Sequence, residues 1–210
     1  MELIDEYYYF DPDLVGPVAP IMVEVGTFTA TRALWWKGRY PDGRAILIEP
    51  DAENYEALCS QVLQAPHGIQ TGRYALSLEG GPVILHRYPN RHSHSLFARH
   101  KTEGLELKES IKLESLTVPG ILTRWSLDRI DLLLLNGEGC ELYAAYHLSR
   151  PTAEGERLRE SIPQVCTAAH PQIYGARVLE DMRTAWTRYY TEDRRPGPIP
   201  YFLYRRREIE

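Results

Sequence analysis

The chain has 210 residues, 43% of them hydrophobic and 25% charged, which is typical of a folded globular protein and excludes a disordered one. This length is enough for one domain with a full core, so we expect a single domain over residues 1–210. The net charge of −5 provides no basic field for phosphates, and the arginine run 205–207 is typical of the solvated end of an edge strand. These features predict no nucleic-acid partner.

The cysteines and the first residues of the chain bear on the cellular compartment of the protein. Cys59, Cys140 and Cys166 show no CxxC spacing, and their odd number does not indicate a disulfide framework. The chain begins with acidic residues instead of a basic and apolar signal segment. The longest apolar run, residues 130–135, is far too short to cross a bilayer. We therefore expect a soluble cytoplasmic protein with no membrane partner.

Residues 1–20 form a leader that is rich in aromatic and acidic side chains. Its aromatic group runs from Tyr7 to Phe10 and offers a large apolar area for burial. This group either packs on the sheet, which we favour, or closes over an acceptor pocket as a lid.

Two strand and helix pairs follow the leader. Apolar runs predict the strands, and helical spacing of apolar residues predicts the helices. Thr27 or Thr29 is placed to cap the first helix, and Asp51 is placed to cap the second. Strand, helix, strand and helix in this order predict a parallel sheet. The predicted strands cover residues 21–25 and 45–48, and the predicted helices cover residues 30–36 and 52–63.

The second half of the chain continues this alternation. Residues 130–135 are apolar on both strand faces apart from Asp131, as in a central parallel strand covered by helices. The last two strands are joined by a proline-rich loop and are expected to pair antiparallel. The sequence thus predicts an α/β fold with a mostly parallel sheet, helices on both faces and an antiparallel C-terminal pair. The remaining predicted strands are 70–76, 82–88, 110–116, 130–135, 165–169, 188–191 and 201–205, the helices 119–125, 141–148, 152–162 and 176–186, and the loops 89–104 and 194–200.

The turn after the first strand is typical of a nucleotide-type ligand site. Gly26 lies where a ligand meets the helix N-terminus, and Glu49 follows 23 residues later, near the spacing of a ribose-binding carboxylate. The turn lacks the GxGxxG pattern, which disfavours a pyrophosphate. A cofactor without phosphates, with a positive sulfonium and an amino-acid tail near Glu24, fits better. The alternative is that Gly26 merely ends a strand and Glu49 is a solvated strand end.

Four segments follow one another along the chain: Val23-Glu24-Val25-Gly26, Ile48-Glu49-Pro50-Asp51 with Asn54, Ala75-Leu76-Ser77, and Ile130-Asp131 through Asn136-Gly137-Glu138-Gly139-Cys140-Glu141. In this order they resemble the FkbM-type family of methyltransferases that use S-adenosylmethionine (SAM). The resemblance covers roughly residues 20–150, with a weaker match at residues 169–171. The chain departs from the family pattern at Ala30, where a glycine is usual, and at Leu134 and Asn136, where a lysine and an aspartate are usual.

The resemblance implies a Rossmann-like class I methyltransferase fold with a seven-stranded sheet, and it implies SAM as the cofactor. In this interpretation Glu49 and Pro50 lie at the ribose, and Asn136 faces the sulfonium. The residues that would border the methionine part are Glu24, Gly26, Thr27, Phe28 and Thr29. The residues that would lie near adenine are Asp51, Tyr74, Ala75 and Leu76.

Three side chains are candidates for the chemistry. His170 follows a predicted strand at the same sheet edge as Gly26 and could act as a base, or it could simply bond to the backbone. His94 lies with His92 in a loop that could lean over the site, although a polar surface loop is the favoured interpretation, and no further ligands complete a metal site. Glu138 could orient an acceptor, hold magnesium with Asn136, or serve as a helix N-terminal acid.

These observations predict a methyltransferase that uses SAM, with O-methylation of a hydroxyl on a sugar or secondary metabolite implied by the resemblance. Its expected partner is a small-molecule acceptor. Ala30, Leu134 and Asn136 motivate an alternative, a catalytically degenerate scaffold or binding protein. A nucleotide-dependent oxidoreductase is disfavoured by the missing glycines. The sequence leaves the oligomeric state, the acceptor and the metal requirement open.

Overall fold

The computed structural model describes residues 1–99, 104–195 and 201–207. The helices are α1 (Thr31–Arg39), α2 (Ala52–Val62), α3 (Val118–Arg124), α4 (Cys140–Leu148), α5 (Ala153–Ser161), α6 (Pro171–Tyr174) and α7 (Ala176–Trp186), with 3-10 turns at Pro12–Leu14 and Arg91–Ser93. The strands are β1 (Glu2–Leu3), β2 (Tyr9–Phe10), β3 (Ile21–Val25), β4 (Arg44–Ile48), β5 (Ile69–Gly72), β6 (Ala75–Leu76), β7 (Gly81–Arg87), β8 (Glu109–Leu116), β9 (Leu132–Leu135), β10 (Gln164–Ala168), β11 (Tyr190–Arg195) and β12 (Tyr201–Arg206).

A seven-stranded sheet in the order β11-β12-β10-β9-β3-β4-β5 is the centre of the fold. Strands β3, β4, β5, β9 and β10 are parallel to one another, whereas β12 is antiparallel to both β10 and β11. The predicted α/β class, mostly parallel sheet and antiparallel C-terminal pair are confirmed. Because β3 and β9 are neighbours, the turns that follow them lie side by side at the carboxyl edge.

Helices cover both faces of the sheet, and each face has its own apolar core. Alternate strand residues such as Val23 and Leu133 pack on one face with helices α3, α4, α5 and α7. The opposite strand residues, such as Met22 and Leu132, pack with α1 and α2. Leucine runs that are buried on both faces are what a central parallel strand requires.

The aromatic leader packs on the sheet and does not cover the candidate site. Tyr8, Tyr9 and Phe10 are at most 1% exposed and belong to the core on the α1 side. Tyr7 is partly exposed and stacks on Tyr201, with ring centroids 5.2 Å apart. The favoured interpretation of the leader is therefore the one that the structure supports.

Capping side chains explain why several helices begin where they do. Asp51 accepts a hydrogen bond from the Asn54 N–H at 3.1 Å, as its N-cap position predicted. The helix α1 forms where it was predicted, but the predicted capping by Thr27 or Thr29 was wrong. The N-cap residue is Ala30, and no side chain caps the helix. Thr27 instead donates to the Glu24 carbonyl oxygen at 3.2 Å, and Thr29 bonds the Thr31 hydroxyl at 3.0 Å.

Other boundaries differ from the sequence-based expectation. The strand predicted at 70–76 is divided into β5 and β6, because the chain leaves the large sheet after Gly72 and joins a small sheet of order β6-β8-β7. Strand β11 continues to Arg195, so the loop predicted from 194 begins later than expected. Positions 100–103 and 196–200 of the predicted loops lie outside the described residues.

Asp131, the charged interruption of an apolar run, joins the leader to the sheet. Its side chain is almost fully buried, and it accepts hydrogen bonds from the N–H groups of Gly16 and Ile21, both at 2.7 Å. It also accepts one from Arg129 Nε at 2.6 Å. Buried carboxylate oxygens with several donors are expected where a polar group must occupy a core position.

We expect Asp131→Asn to lower the free energy of unfolding by about 1–3 kcal/mol, because an amide NH₂ cannot accept the bonds that both carboxylate oxygens accept. Urea denaturation would measure the change. Asp128→Asn is the matched control, since Asp128 is exposed and has no ion pair within the described part of the chain. Equal midpoints for the two variants would contradict this role of Asp131.

No helix among the described residues is long and apolar enough to cross a bilayer.

Candidate active site

Two backbone turns meet at the carboxyl edge of the sheet, and Gly26 allows their contact. Gly26 follows β3 with φ +81°, and a Cβ built there would lie 2.6 Å from the carbonyl carbon of Asn136 and from Gly137 Cα. The Asn136 N–H also donates to the Val25 carbonyl oxygen at 2.9 Å. The turns after β3 and β9 are thus packed backbone to backbone.

The turn after β9 has an unusual backbone at Glu138. Glu138 has φ +41°, a left-handed conformation that is uncommon for residues other than glycine, and Gly139 follows with φ +106°. A Cβ at Gly139 would lie 2.7 Å from the Phe97 ring. Such strained residues are frequent at functional sites, so this turn is a candidate for a ligand-binding position.

A pocket opens between these turns and the small sheet. Its wall combines apolar side chains with a few convergent polar groups, which is typical of small-molecule sites. Ten of the fifteen predicted site residues line it: Gly26, Phe28, Glu49, Pro50, Ala75, Leu76, His94, Asn136, Glu138 and His170. The others in its wall are Val25, Asn54, Leu85, Arg91, His92, Ser95, Leu96, Phe97, Gly137, Gly139, Cys140 and Tyr143.

Glu49 follows the last residue of β4, lies at the pocket wall and is 5% exposed. One of its carboxylate oxygens accepts the Asp51 N–H at 2.9 Å. Burial raises the pKa of Glu49 to about 8, and the nearby charge of Asp51 acts in the same direction. Glu49 is therefore a buried acid that a ligand with hydrogen-bond donors could convert to its charged form.

Five predicted cofactor residues do not line the pocket, and their side chains have other partners. The buried Glu24 carboxylate binds Arg32 Nη1 at 2.6 Å, and burial raises its pKa against the opposing effect of Arg32. Thr27 and Thr29 make the local bonds described above. Asp51 pairs with Arg87 Nε at 2.7 Å. The Tyr74 hydroxyl accepts a bond from Arg124 at 3.2 Å, while the neighbouring residues 75 and 76 do face the pocket.

His170 follows β10 and lies at the pocket wall with 1% exposure. Its Nδ1 lies 3.1 Å from Glu141 Oε1, which also accepts the His170 N–H at 2.9 Å and the Tyr174 hydroxyl at 2.8 Å. Burial lowers the pKa of His170, but the Glu141 carboxylate and then Glu138 outweigh it, so the pKa is raised overall. This contact orients the ring and directs Nε2 away from Glu141.

Glu138 connects His170 to the segment that covers the pocket. One Glu138 oxygen lies 3.5 Å from His170 Nε2, and the other lies 2.6 Å from Arg99 Nη1. The Ser95 hydroxyl donates to the Glu138 carbonyl oxygen at 2.7 Å. The left-handed turn at Glu138 is therefore held from two sides.

The covering segment, residues 90–97, contributes side chains to the pocket wall, which agrees with the alternative that this loop leans over the site and not with the favoured polar surface loop. Asn54 and Arg91 bond each other twice, through Asn54 Nδ2 to the Arg91 carbonyl oxygen at 3.2 Å and Arg91 Nε to Asn54 Oδ1 at 2.9 Å. The rings of Phe28 and His92 are 4.0 Å apart. These contacts hold the covering segment against the turn after β3 and the first turn of α2.

His94 has an environment different from that of His170. The Tyr88 N–H donates to His94 Nδ1 at 3.2 Å, and His94 Nε2 lies 3.8 Å from Asp51. Burial lowers the pKa of His94, with the Asp51 charge opposing it. The favoured interpretation of a surface loop was wrong for this side chain, which is 6% exposed, although His92 is exposed.

The magnesium hypothesis finds no support. Glu138 is paired with the Arg99 guanidinium, whose positive charge competes with a cation. In the part of the chain that the structure describes, no group of three His, Cys, Asp or Glu side chains could hold a metal ion.

The sheet order, the covering helices and a pocket at the carboxyl edge together define the Rossmann-like fold of SAM-dependent methyltransferases. The structure is similar to the precorrin-6y C5,15-methyltransferase from Geobacter metallireducens GS-15, with a TM-score of 0.52 and 8% identity over 90% of this chain and 81% of that one. It is also similar to the O-methyltransferase TomG from Streptomyces achromogenes, involved in tomaymycin synthesis and solved in complex with SAM, with a TM-score of 0.50 and 14% identity over 90% and 73% of the two chains.

No family model matches the chain, and no curated protein matches it. At these identities the structural similarity shows the fold alone.

Proposed function

We propose that this chain binds SAM in the pocket and transfers its methyl group to an acceptor hydroxyl. The observation that carries the proposal is the convergence of Glu49 and His170 on one pocket at the carboxyl edge of a methyltransferase-type sheet. A buried acid suits ribose hydroxyls, and an oriented imidazole suits proton removal.

The pocket residues fit a cofactor that has a nucleoside but no pyrophosphate. Ala75, Leu76 and Leu85 give an apolar wall for a base, and Glu49 can accept bonds from ribose hydroxyls. In the turn after β3, the N–H groups of Gly26 and Thr27 already donate to the Ile48 carbonyl oxygen. The N–H group of Ala30, the N-cap residue of α1, donates to Gln61 Oε1 at 3.0 Å. These N–H groups are not available to phosphates, which argues against a dinucleotide.

His170 is the base in this proposal. SAM, when bound, supplies a methyl group on a positively charged sulfur that an oxygen nucleophile can accept. With the Nδ1–H of His170 donated to Glu141, Nε2 is left without a proton, 3.5 Å from a Glu138 oxygen in the pocket wall. His170 Nε2 would accept the proton of the acceptor hydroxyl as the hydroxyl oxygen takes the methyl group; the sulfur–methyl bond breaks and S-adenosylhomocysteine is the leaving group. The covering segment, residues 90–97, would limit the access of water to a bound ligand.

The acceptor class and the FkbM-type assignment rest on the four sequence segments. That resemblance supports a sugar or secondary-metabolite hydroxyl as the acceptor. The lysine usual in the family is Leu134 here, which pairs in register with Glu24 on the neighbouring strand. Arg32 from α1 supplies a positive charge to Glu24 at 2.6 Å, so the charge that the leucine lacks is provided from another element.

The competing candidate is a degenerate scaffold, favoured by the fully buried Leu134 and by the uncharged Asn136 in the pocket wall. Calorimetric titration with SAM, S-adenosylhomocysteine and NAD, followed by transfer assays on hydroxylated acceptors, separates the candidates. Micromolar SAM binding with turnover supports the proposal. Binding without turnover on a broad acceptor panel favours the scaffold, and binding of NAD alone refutes both.

The raised pKa of Glu49 makes a specific prediction for pH. Ribose hydroxyls donate best to a carboxylate, so binding should lower the pKa of Glu49 from about 8 and release a proton. The affinity for S-adenosylhomocysteine should then rise with pH up to about 8, by up to about tenfold per pH unit, and level off above it. Glu49→Gln should bind more weakly and lose this rise. A parallel pH dependence in the glutamine variant would refute the ribose role.

A further inference from the structure

A groove with four arginines lies at the sheet edge opposite the candidate active site. Arg205 in β12 pairs in register with Gln164 at the start of β10, whereas His170 follows the end of that strand. The six residue steps from Gln164 to His170 span about 20 Å of extended chain, so the groove and the pocket are separate places. The arginines that line the groove are Arg159, Arg188, Arg206 and Arg207.

Arg159 is held rigidly at the wall of the groove. It is 9% exposed, and its Nη1 donates to the carbonyl oxygens of Leu148 at 2.9 Å and Arg150 at 3.0 Å. Its guanidinium lies 3.8 Å from the centre of the Tyr189 ring. Among the described residues it has no carboxylate partner within ion-pair distance. A buried cation without a counter-charge favours an anionic ligand.

The groove as a whole is positively charged. Its wall contains four guanidinium groups and one carboxylate, that of Glu156. Arg188 and Arg207 are exposed, and neither has an ion pair in the described ranges. Arg206 has a long contact of 3.8 Å with the exposed Glu160. The cluster therefore attracts anions in a protein whose net charge is negative.

The arginine that precedes this cluster in β12 is already neutralised. Arg205 is paired with Asp193 at 2.6 Å and with Asp11 at 2.9 Å. The N-terminus of α5 adds a wall and not a site, because the Thr152 hydroxyl caps it by accepting the Gly155 N–H at 3.2 Å. A compact group of guanidinium forks matches the oxygens of one phosphate or diphosphate better than the backbone of a polynucleotide.

We propose that this groove binds a small ligand through a phosphate or diphosphate group. The site is independent of the pocket for methyl transfer. Guanidinium groups bind phosphate oxygens in pairs, and the fixed Arg159 would lose little side-chain entropy on binding.

Calorimetry on the full chain with pyrophosphate and with inorganic phosphate, at constant ionic strength in chloride, tests the proposal. We expect saturable binding at one site, weakened at least about tenfold in the double variant Arg188→Glu and Arg207→Glu. The double variant Arg73→Glu and Arg177→Glu is the control, since both arginines are exposed and lie outside the groove. It carries the same charge change and should bind as the wild type does.

Three results would overturn the proposal: no saturable binding of either anion, equal weakening in the two double variants, or tighter binding of a 12-nucleotide RNA than of pyrophosphate. The double variant Arg188→Gln and Arg207→Gln repeats the test with a smaller perturbation should the Arg188→Glu and Arg207→Glu protein fail to fold. S-adenosylhomocysteine binding serves as a separate readout, because the groove variant should retain it whether or not the methyl-transfer proposal holds.

Discussion

Replacing His170 with asparagine should lower methyl transfer by about 10²- to 10⁴-fold and leave the affinity for S-adenosylhomocysteine nearly unchanged. The asparagine side chain keeps a donor for Glu141 but removes Nε2, the ring atom available as a base. Single-turnover assays on a responsive acceptor, with calorimetry alongside, would measure the two effects. Full transfer activity in His170→Asn would return His170 to a structural role.

The pH dependence of transfer gives a second test of the same base. A base works in its neutral form, so the rate should rise with pH and level off above the pKa of His170, which lies higher than that of an ordinary histidine. Glu141→Gln removes the carboxylate that raises this pKa and should move the midpoint to lower pH. An unmoved midpoint would show that Glu141 does not act through His170.

The fold was largely predictable because the sequence features that indicate its strands and helices are local. The apolar runs at β3, β4 and β9 are buried on both faces, and Asp51 is a capping side chain at the position that the sequence indicates. The division of the predicted strand after Gly72 has no local signal in the sequence, and Gly72 lies against a residue distant along the chain. A Cβ at Gly72 would lie 2.7 Å from the Trp125 ring, and the sequence does not reveal that approach.

The site was predictable in part for the same reason. Residues that end parallel strands, such as Glu49 and His170, could be assigned to one edge of the sheet from topology alone. The sequence predicted Glu141 only as the first residue of a helix, whereas in the structure its carboxylate is the hydrogen-bond partner of His170. The sequence predicted Arg99 only as part of a loop, whereas in the structure its guanidinium pairs with Glu138. Both contacts join residues 29 and 39 positions apart, so no spacing rule indicates them.

Gly26→Ala should lower the free energy of unfolding by about 2–5 kcal/mol and abolish measurable cofactor binding. The alanine would keep φ near +81°, at a cost of about 1–2 kcal/mol, and its Cβ would lie 2.6 Å from the backbone of Asn136 and Gly137. Relief of that overlap, which costs a further 1–3 kcal/mol or so, must separate the two turns that form the pocket floor. Urea denaturation and calorimetry with S-adenosylhomocysteine would measure both losses.

Gly38→Ala is the control for this prediction, because a Cβ at Gly38 would meet nothing within 4 Å and the residue is exposed within α1. It should be neutral or stabilise the protein by up to about 1 kcal/mol. A Gly26→Ala protein as stable as Gly38→Ala would refute the backbone contact. A lower stability of Gly26→Ala than of Gly38→Ala would mean that the neighbouring turn at Asn136 requires the single glycine of the turn after β3. A site that needs no phosphate contacts is then not weakened by the absence of further glycines in that turn.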